Sequence, residues 1–491
     1  MKRAALLAGA LLLLRLALLA QPDLFPEEAY YWNYAAHLDI GYLDHPPMVA
    51  WLIHLGTALF GDGEFGVRSG VVLCSLATGF FVFRLTALLF EARAALTALL
   101  LAQLLPFFFL TGFMLTPDAP LTACWAGALY FLAQALLRGK ARAWLGLGVC
   151  LGVGMLSKYT IALLGPATLL FLTLDAPSRR WWRHPAPHAA VLLAGAIFSP
   201  VIIWNERHHW ASFAFQSTGR VAEAARFSTH ELLAAILALL TPVGAILVWQ
   251  ALRGPRNLSP DDARRRLFAR IYTLVPLSVF LLFSFTHRVK LNWTGPLWLA
   301  AIPAVAAGII ALPPGLLRRA WLGTVALLVL IHAAFLSHLS FGLPGIGYAP
   351  DMALLPAGWS EMGRALEARR AAIPPPAGGR VLLVGLDRNF IASEAAFYHS
   401  QPRQAVLETT GAHLFGSPSL MYEFWFPPAA QEGATLLLVS FDRGDLDRRR
   451  VRARCAPLGA IEEHWIERDG KKVRRYFTRV AENYRPAQTP R

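Results

Sequence analysis

Eleven separate apolar stretches run through the first 341 residues of this 491-residue chain. A helix crosses the hydrocarbon core of a bilayer with about 20 apolar residues, because it satisfies its backbone N–H and C=O groups internally. The stretches are 4–20, 67–90, 94–112, 119–137, 143–156, 159–174, 188–204, 232–252, 271–286, 294–311 and 320–341. Composition agrees with a membrane protein. The chain is 56% hydrophobic and 16% charged, whereas soluble domains are roughly 45–50% apolar and about 25% charged. Such a chain buries too much apolar surface to be disordered. A disulfide scaffold is excluded too, since Cys74, Cys124 and Cys150 sit in apolar runs and Cys455 is alone.

The formal net charge is +15. In a soluble protein that excess suggests nucleic acid; in a membrane protein it reports loop orientation. With the N-terminus inside, the cytoplasmic loops hold eighteen Lys and Arg, and the opposite loops before residue 342 hold six. The charge therefore needs no nucleic-acid partner. Lys2 and Arg3 before a leucine run resemble a signal peptide, but Arg15 interrupts the run and Gln21-Pro22-Asp23 is no cleavage site. A retained first helix follows. Val49–Phe60 is too short to span and is expected along the outer interface. Parity makes 143–156 and 159–174 a hairpin with Lys158 near its outer turn, and an odd number of crossings puts residues 342–491 outside.

Residues 342–491 have soluble composition, with 20 Lys/Arg and 16 Asp/Glu. Pro374-Pro375-Pro376-Ala377-Gly378-Gly379 reads as a linker. Beyond it, Arg380–Leu386 and Thr435–Phe441 read as buried strands and Ser393–His399 as a helix. The expected fold class is a polytopic α-helical membrane protein of about eleven spans with a small C-terminal α/β domain. Its divisions are a membrane domain at 1–341, a linker and peripheral segment at 342–379, and a soluble domain at 380–491.

Outer loops carry the polarity suited to chemistry. Residues 21–66 contain seven acidic residues and no Lys or Arg. Adjacent Glu27 and Glu28 can supply a general base and a neighbour that orients it. Asp118 lies at the outer junction of two spans, where it also reads as a helix cap. Lys158, Arg288 and Lys290 are cations suited to a phosphate; for the last two, snorkelling to lipid headgroups is the plainer reading. His208 and His209 are adjacent, without the spaced partners a metal site needs. The spacing of Glu27, Glu28 and Asp118 leaves room for a divalent cation without demanding one. Walker A, dinucleotide-glycine and zinc-protease motifs are all missing from the sequence.

Taken in order, Glu27-Glu28-Ala29-Tyr30-Tyr31-Trp32, Gly41-Tyr42-Leu43-Asp44-His45-Pro46-Pro47, Leu115-Thr116-Pro117-Asp118, Leu156-Ser157-Lys158-Tyr159-Thr160 and Asn292-Trp293 resemble motifs of one superfamily. It is the bacterial branch of the protein O-mannosyltransferases, which includes the lipid A aminoarabinose transferases. The resemblance covers roughly residues 20–310. It implies a GT-C fold in the bacterial inner membrane with a periplasmic active site. It also implies transfer of a sugar from a polyprenyl-phosphate donor to an envelope lipid, glycan or protein hydroxyl. By position Glu27 matches the family's catalytic Asp, one methylene longer here, and Glu28 the Glu that follows it. Asp118 matches the second acidic position and Lys158 the motif lysine. Lys158 with Arg288 or Lys290 would then hold the donor phosphate, while Tyr31, Asp44, His45, Tyr159 and Asn292 would contact substrate.

A transporter or flippase of a lipid-linked saccharide is the competing class. Such proteins often show repeated halves and put their polar residues near the bilayer midplane. This chain has no visible repeat, and its acidic residues cluster outside the spans.

Overall fold

The computed structural model describes residues 2–222, 224–254, 258–342, 356–376, 379–468 and 470–487, with side chains from residue 6 onward. All eleven apolar stretches fall on helical segments. Five helices are long and apolar enough to cross a membrane: Glu64–Leu89, Asp118–Leu136, Pro185–Arg207, Pro260–Ser284 and Leu316–Phe341. Three stretches are bent pairs, namely Tyr159–Leu174 with Ala176–Arg183 (116°), Thr229–Leu240 with Pro242–Arg253 (94°), and Leu291–Ala300 with Ile302–Ala311 (64°). The remaining three contain the shorter apolar helices Leu6–Leu18, Ala92–Leu104 and Ala143–Met155. The breaks have local causes. Thr241 has φ +65° directly before Pro242, and proline cannot donate the hydrogen bond that continues a helix.

The chain divides into two compact units. Unit one comprises 1–17, 45–49 and 68–333, a bundle of apolar helices. Within it the first helix is integral, because Arg15 donates to Gln103 Oε1 at 2.7 Å and to its carbonyl at 2.5 Å. A guanidinium in an apolar helix is costly unless paired, and here its pairing fixes the helix against the bundle. Elsewhere in the unit, Arg264 holds both oxygens of Asp175 at 2.8 Å and the Leu136 carbonyl at 2.8 Å.

Unit two comprises 18–44, 50–67 and 334–491. Most of the first outer loop thus groups with the tail rather than with the helices flanking it in sequence. The tail forms a five-stranded sheet in the order β2-β1-β3-β5-β4. The strands are β1 (Val381–Gly385), β2 (Thr409–Gly411), β3 (Thr435–Ser440), β4 (Leu458–Arg468) and β5 (Lys471–Ala481). β1, β2 and β3 are parallel, and β5 joins β3 and β4 antiparallel. Every residue of β1 and β3 is buried, as parallel strands covered on both faces should be. The expected helix is Phe390–Phe397. Within the expected linker, helix Trp359–Ala371 puts Trp359, Met362 and Leu366 into the sheet's core. Asp23 of the first outer loop accepts the backbone N–H groups of Trp359 (3.0 Å) and Ser360 (3.3 Å), capping that helix from far away in sequence. Residues 343–355, the Ala377-Gly378 part of the Pro374–Gly379 linker, and Arg256 of the basic loop lie outside the described residues.

Candidate active site

The residues singled out in the sequence divide between the two units. In unit two, Pro26–Ala36 forms a helix with Pro26 in its first turn, where proline's fixed φ suits a helix start. Glu28 is buried and its Oε2 accepts the Phe25 N–H at 3.1 Å. It therefore closes the helix N-terminus in the manner of a capping-box glutamate. Glu27 precedes it and is exposed, which puts its carboxylate at the positive end of the helix dipole. One carboxylate builds the turn and the other is presented by it.

Asp44 sits in the same unit and is 7% exposed. Tyr30 donates to its Oδ1 at 2.9 Å, and Tyr34 donates to the same oxygen. Burial raises the Asp44 carboxyl above its usual range, against the pull of the Tyr34 and Tyr30 hydroxyls and the charge of Arg388. Tyr31 is buried, with ring contacts to Tyr30 and Tyr34. The same helix also packs on Phe390–Phe397. Asn33 donates to the Ser393 carbonyl at 3.3 Å, and the Tyr30 hydroxyl accepts the Met421 N–H at 3.2 Å. In this arrangement Asp44 and Tyr31 stiffen the helix that carries Glu27.

Unit one brings together Asp118, Lys158 and Asn292, three residues far apart in sequence. Lys158 Nζ lies 2.8 Å from Asp118 Oδ1, and Asn292 Nδ2 donates to Oδ2 at 2.5 Å. The Lys158 and Asp118 side chains are only 12% and 8% exposed. Local sequence explains the placement. Helix Ala143–Met155 ends at the Leu156-Ser157 turn, and Lys158 takes up extended backbone (φ −162°) before a 3₁₀ turn begins. Asp118 opens helix Asp118–Leu136, and Asn292 lies in the 3₁₀ turn Leu291–Thr294. The Met48 N–H bonds the Leu156 carbonyl at 2.9 Å, which anchors the His45-Pro46-Pro47 segment beside this turn.

Three cations converge on His45. Its imidazole is held well below its usual pKa, first by withdrawal from water and then by the charges of Lys158, Lys290 and Arg220. It is accordingly neutral near pH 7. Arg220 was not singled out from the sequence. Its guanidinium lies 5.9 Å from the Trp293 ring and 5.3 Å from that of Phe215, and a Thr-Gly-Arg-Val turn carries no signal of that position. Arg288, by contrast, pairs with Glu231 at 3.2 Å and is 65% exposed. Arg226 shares that glutamate, so the structure does not bring Arg288 to the cluster. Tyr159 turns toward helix Pro185–Arg207 and the short helix after it, its hydroxyl 2.9 Å from Ser212 Oγ and its ring against Phe198 and Phe213. Among the described residues, no group of three or more His, Cys, Asp or Glu is arranged to hold a metal ion.

This geometry suits binding of a phosphate. Lys158 and Asp118 offset each other, while Lys290 and Arg220 add positive charge beside a neutral His45. A family model described as dolichyl-phosphate-mannose-protein mannosyltransferase matches residues 44–204. The chain is 27% identical over 441 residues to the lipid A galacturonosyltransferase RgtD of Rhizobium johnstonii, covering 85% of this chain and 86% of that one. It is 32% identical over 162 residues to the undecaprenyl phosphate-α-4-amino-4-deoxy-L-arabinose arabinosyl transferase of Edwardsiella ictaluri, where the match spans 28% of that protein. Crystal structures of ArnT from Cupriavidus metallidurans share the fold, with a TM-score of 0.65 over 97% of both chains and 16–17% identity. The chain is a multi-pass membrane glycosyltransferase that shares the fold of ArnT.

Proposed function

We propose that the enzyme moves a sugar from a polyprenyl-phosphate donor to a hydroxyl of an envelope glycolipid, with lipid A as the acceptor class. The largely buried Lys158 ammonium, 2.8 Å from Asp118 and in a site that also feels the charges of Lys290 and Arg220, carries the donor half of this reading. Two names support it: the Edwardsiella relative acts on an undecaprenyl-phosphate sugar, and one ArnT structure holds undecaprenyl phosphate. The acceptor half is supported by the name of RgtD, a lipid A galacturonosyltransferase. In this mechanism Glu27 takes the proton from the acceptor hydroxyl as that oxygen attacks the anomeric carbon. The bond to the polyprenyl phosphate breaks in the same displacement, which inverts the anomeric centre. Lys290 and Arg220, with Lys158 held in place by Asp118 and Asn292, stabilise the phosphate as its negative charge grows. Arg220 thus takes the part expected of Arg288.

The eighteen-to-six distribution of basic residues supports an inner-membrane topology with the N-terminus cytoplasmic and the tail periplasmic. The reaction is tested with purified protein in detergent, radiolabelled undecaprenyl-phosphate sugar and lipid A. Label moves to lipid A, and Glu27→Gln lowers the rate by about 10²-fold or more. Arg220→Ala weakens binding of undecaprenyl phosphate by about tenfold. Full activity in Glu27→Gln removes that residue as the base. A donor left unconsumed by every acceptor points instead to a transporter or flippase, because a micelle offers no compartment to cross.

A further inference from the structure

The sheet of unit two has a second place for chemistry. Its parallel strands lie in the order β2-β1-β3. The chain leaving β1 enters helix Phe390–Phe397, which packs Ile391 and Ala395 on one face of the sheet with Leu383 and Leu437. Chain leaving β2 and β3 goes to the opposite face, where Leu414, Leu446 and Val451 pack with Leu382 and Leu436. Connections that depart neighbouring strands toward opposite faces leave a crevice at the strands' carboxyl ends, and open α/β sheets take their ligands there. Two adjoining cavities of about 430 and 340 Å³ occupy that position and share Leu386, Ser417 and Arg448. Each is within the rough range of ligand pockets, about 300–1,000 Å³.

The walls are cationic. Arg448, Arg449 and Arg450 line one cavity and Arg388 the other, against the carboxylates of Asp445 and Asp387. Both carboxylates are engaged within the protein. Asp445 pairs with Arg448 at 2.5 Å, and Asp387 accepts the N–H groups of Phe390 and Ile391 at 2.8 and 3.3 Å. Arg450 is fixed on the Gly416 carbonyl at 3.0 Å. A solvated basic loop needs no crevice, whereas these guanidinium groups rim one at the sheet's switch point.

We propose that this crevice binds a phosphate carried by the acceptor glycolipid. The proposal rests on the reading of the acceptor given above and adds the group by which it is recognised. Guanidinium forks match phosphate oxygens in pairs, and the cavities leave room for part of the attached sugar. The test measures binding to the full chain in detergent, without donor, of bis-phosphorylated lipid A and of the same lipid with its phosphates removed. The phosphorylated form should bind about tenfold tighter, Arg448→Ala with Arg449→Ala should abolish the preference, and the paired lysine substitutions should restore part of it. Equal affinity for the two lipids overturns the proposal, as does an undiminished preference in the double alanine variant. If that variant fails to fold, Arg449→Gln alone is read the same way, since Arg449 is exposed. Competition by inorganic phosphate at the lipid's own concentration would make this a site for the free ion and overturn the glycolipid assignment. Because no sugar moves in this assay, absent transfer with an intact preference counts against the transferase mechanism alone.

Discussion

Asp118 receives both Lys158 and Asn292 while almost wholly buried, and this fixes the cost of breaking the cluster. Removing one member of a buried ion pair leaves the other charge without compensation, a loss of about 3–5 kcal/mol. Asp118→Ala and Lys158→Ala should each lower thermal stability in detergent, and the double variant should lose less than the two together. Strictly additive losses in that cycle would show the pair to be energetically uncoupled. Four members of the site illustrate what residue type reveals. Asp118, Lys158 and Asn292 stand out because charge and amide at the ends of apolar spans are expensive and need a reason. Arg220 gives no such sign, since its position depends on how the 218–221 turn packs against Trp293.

Close packing of elements rests on small residues. Helices Ala143–Met155 and Pro185–Arg207 approach at Gly148 and Gly152, where an added Cβ would fall 2.7 Å from the Ala190 carbonyl oxygen and 2.7 Å from Ile197 Cβ. Small residues four apart let helix backbones meet within a bilayer, where the hydrophobic effect gives no drive to associate. Gly148→Leu should push the pair apart and lower the melting temperature, whereas Gly165→Leu, with nothing within 4 Å of its added Cβ, should change it little. Equal shifts would argue against that contact. The β4–β5 hairpin shows an element legible in principle yet unread. Asp469-Gly470 lies between the paired Arg468 and Lys471, and Asp-Gly is a strong two-residue hairpin signal. Dense charge on both strands hid the alternation.

At the scale of the whole molecule, topology is open to direct measurement. Single cysteines placed at Arg138 and Arg443, in a background with the native cysteines replaced, should label from opposite sides of intact inner-membrane vesicles. Labelling from the same side would overturn the proposed orientation. The sequence by itself determined the membrane class, the apolar segments and the motif residues. Those properties follow from local composition, because a bilayer sorts segments by their own hydrophobicity and loops by their own charge. Tertiary structure alone decided that Lys158 and Asn292 share the Asp118 carboxylate, that Arg288 pairs with Glu231 while Arg220 lies by the Trp293 ring, and that most of the first outer loop folds with the tail. Each of these is a contact between residues distant along the chain. Such contacts depend on where the breaks at Lys158, Thr241 and Ala301 turn the backbone and on which surfaces then fit, and no local window of sequence contains that information.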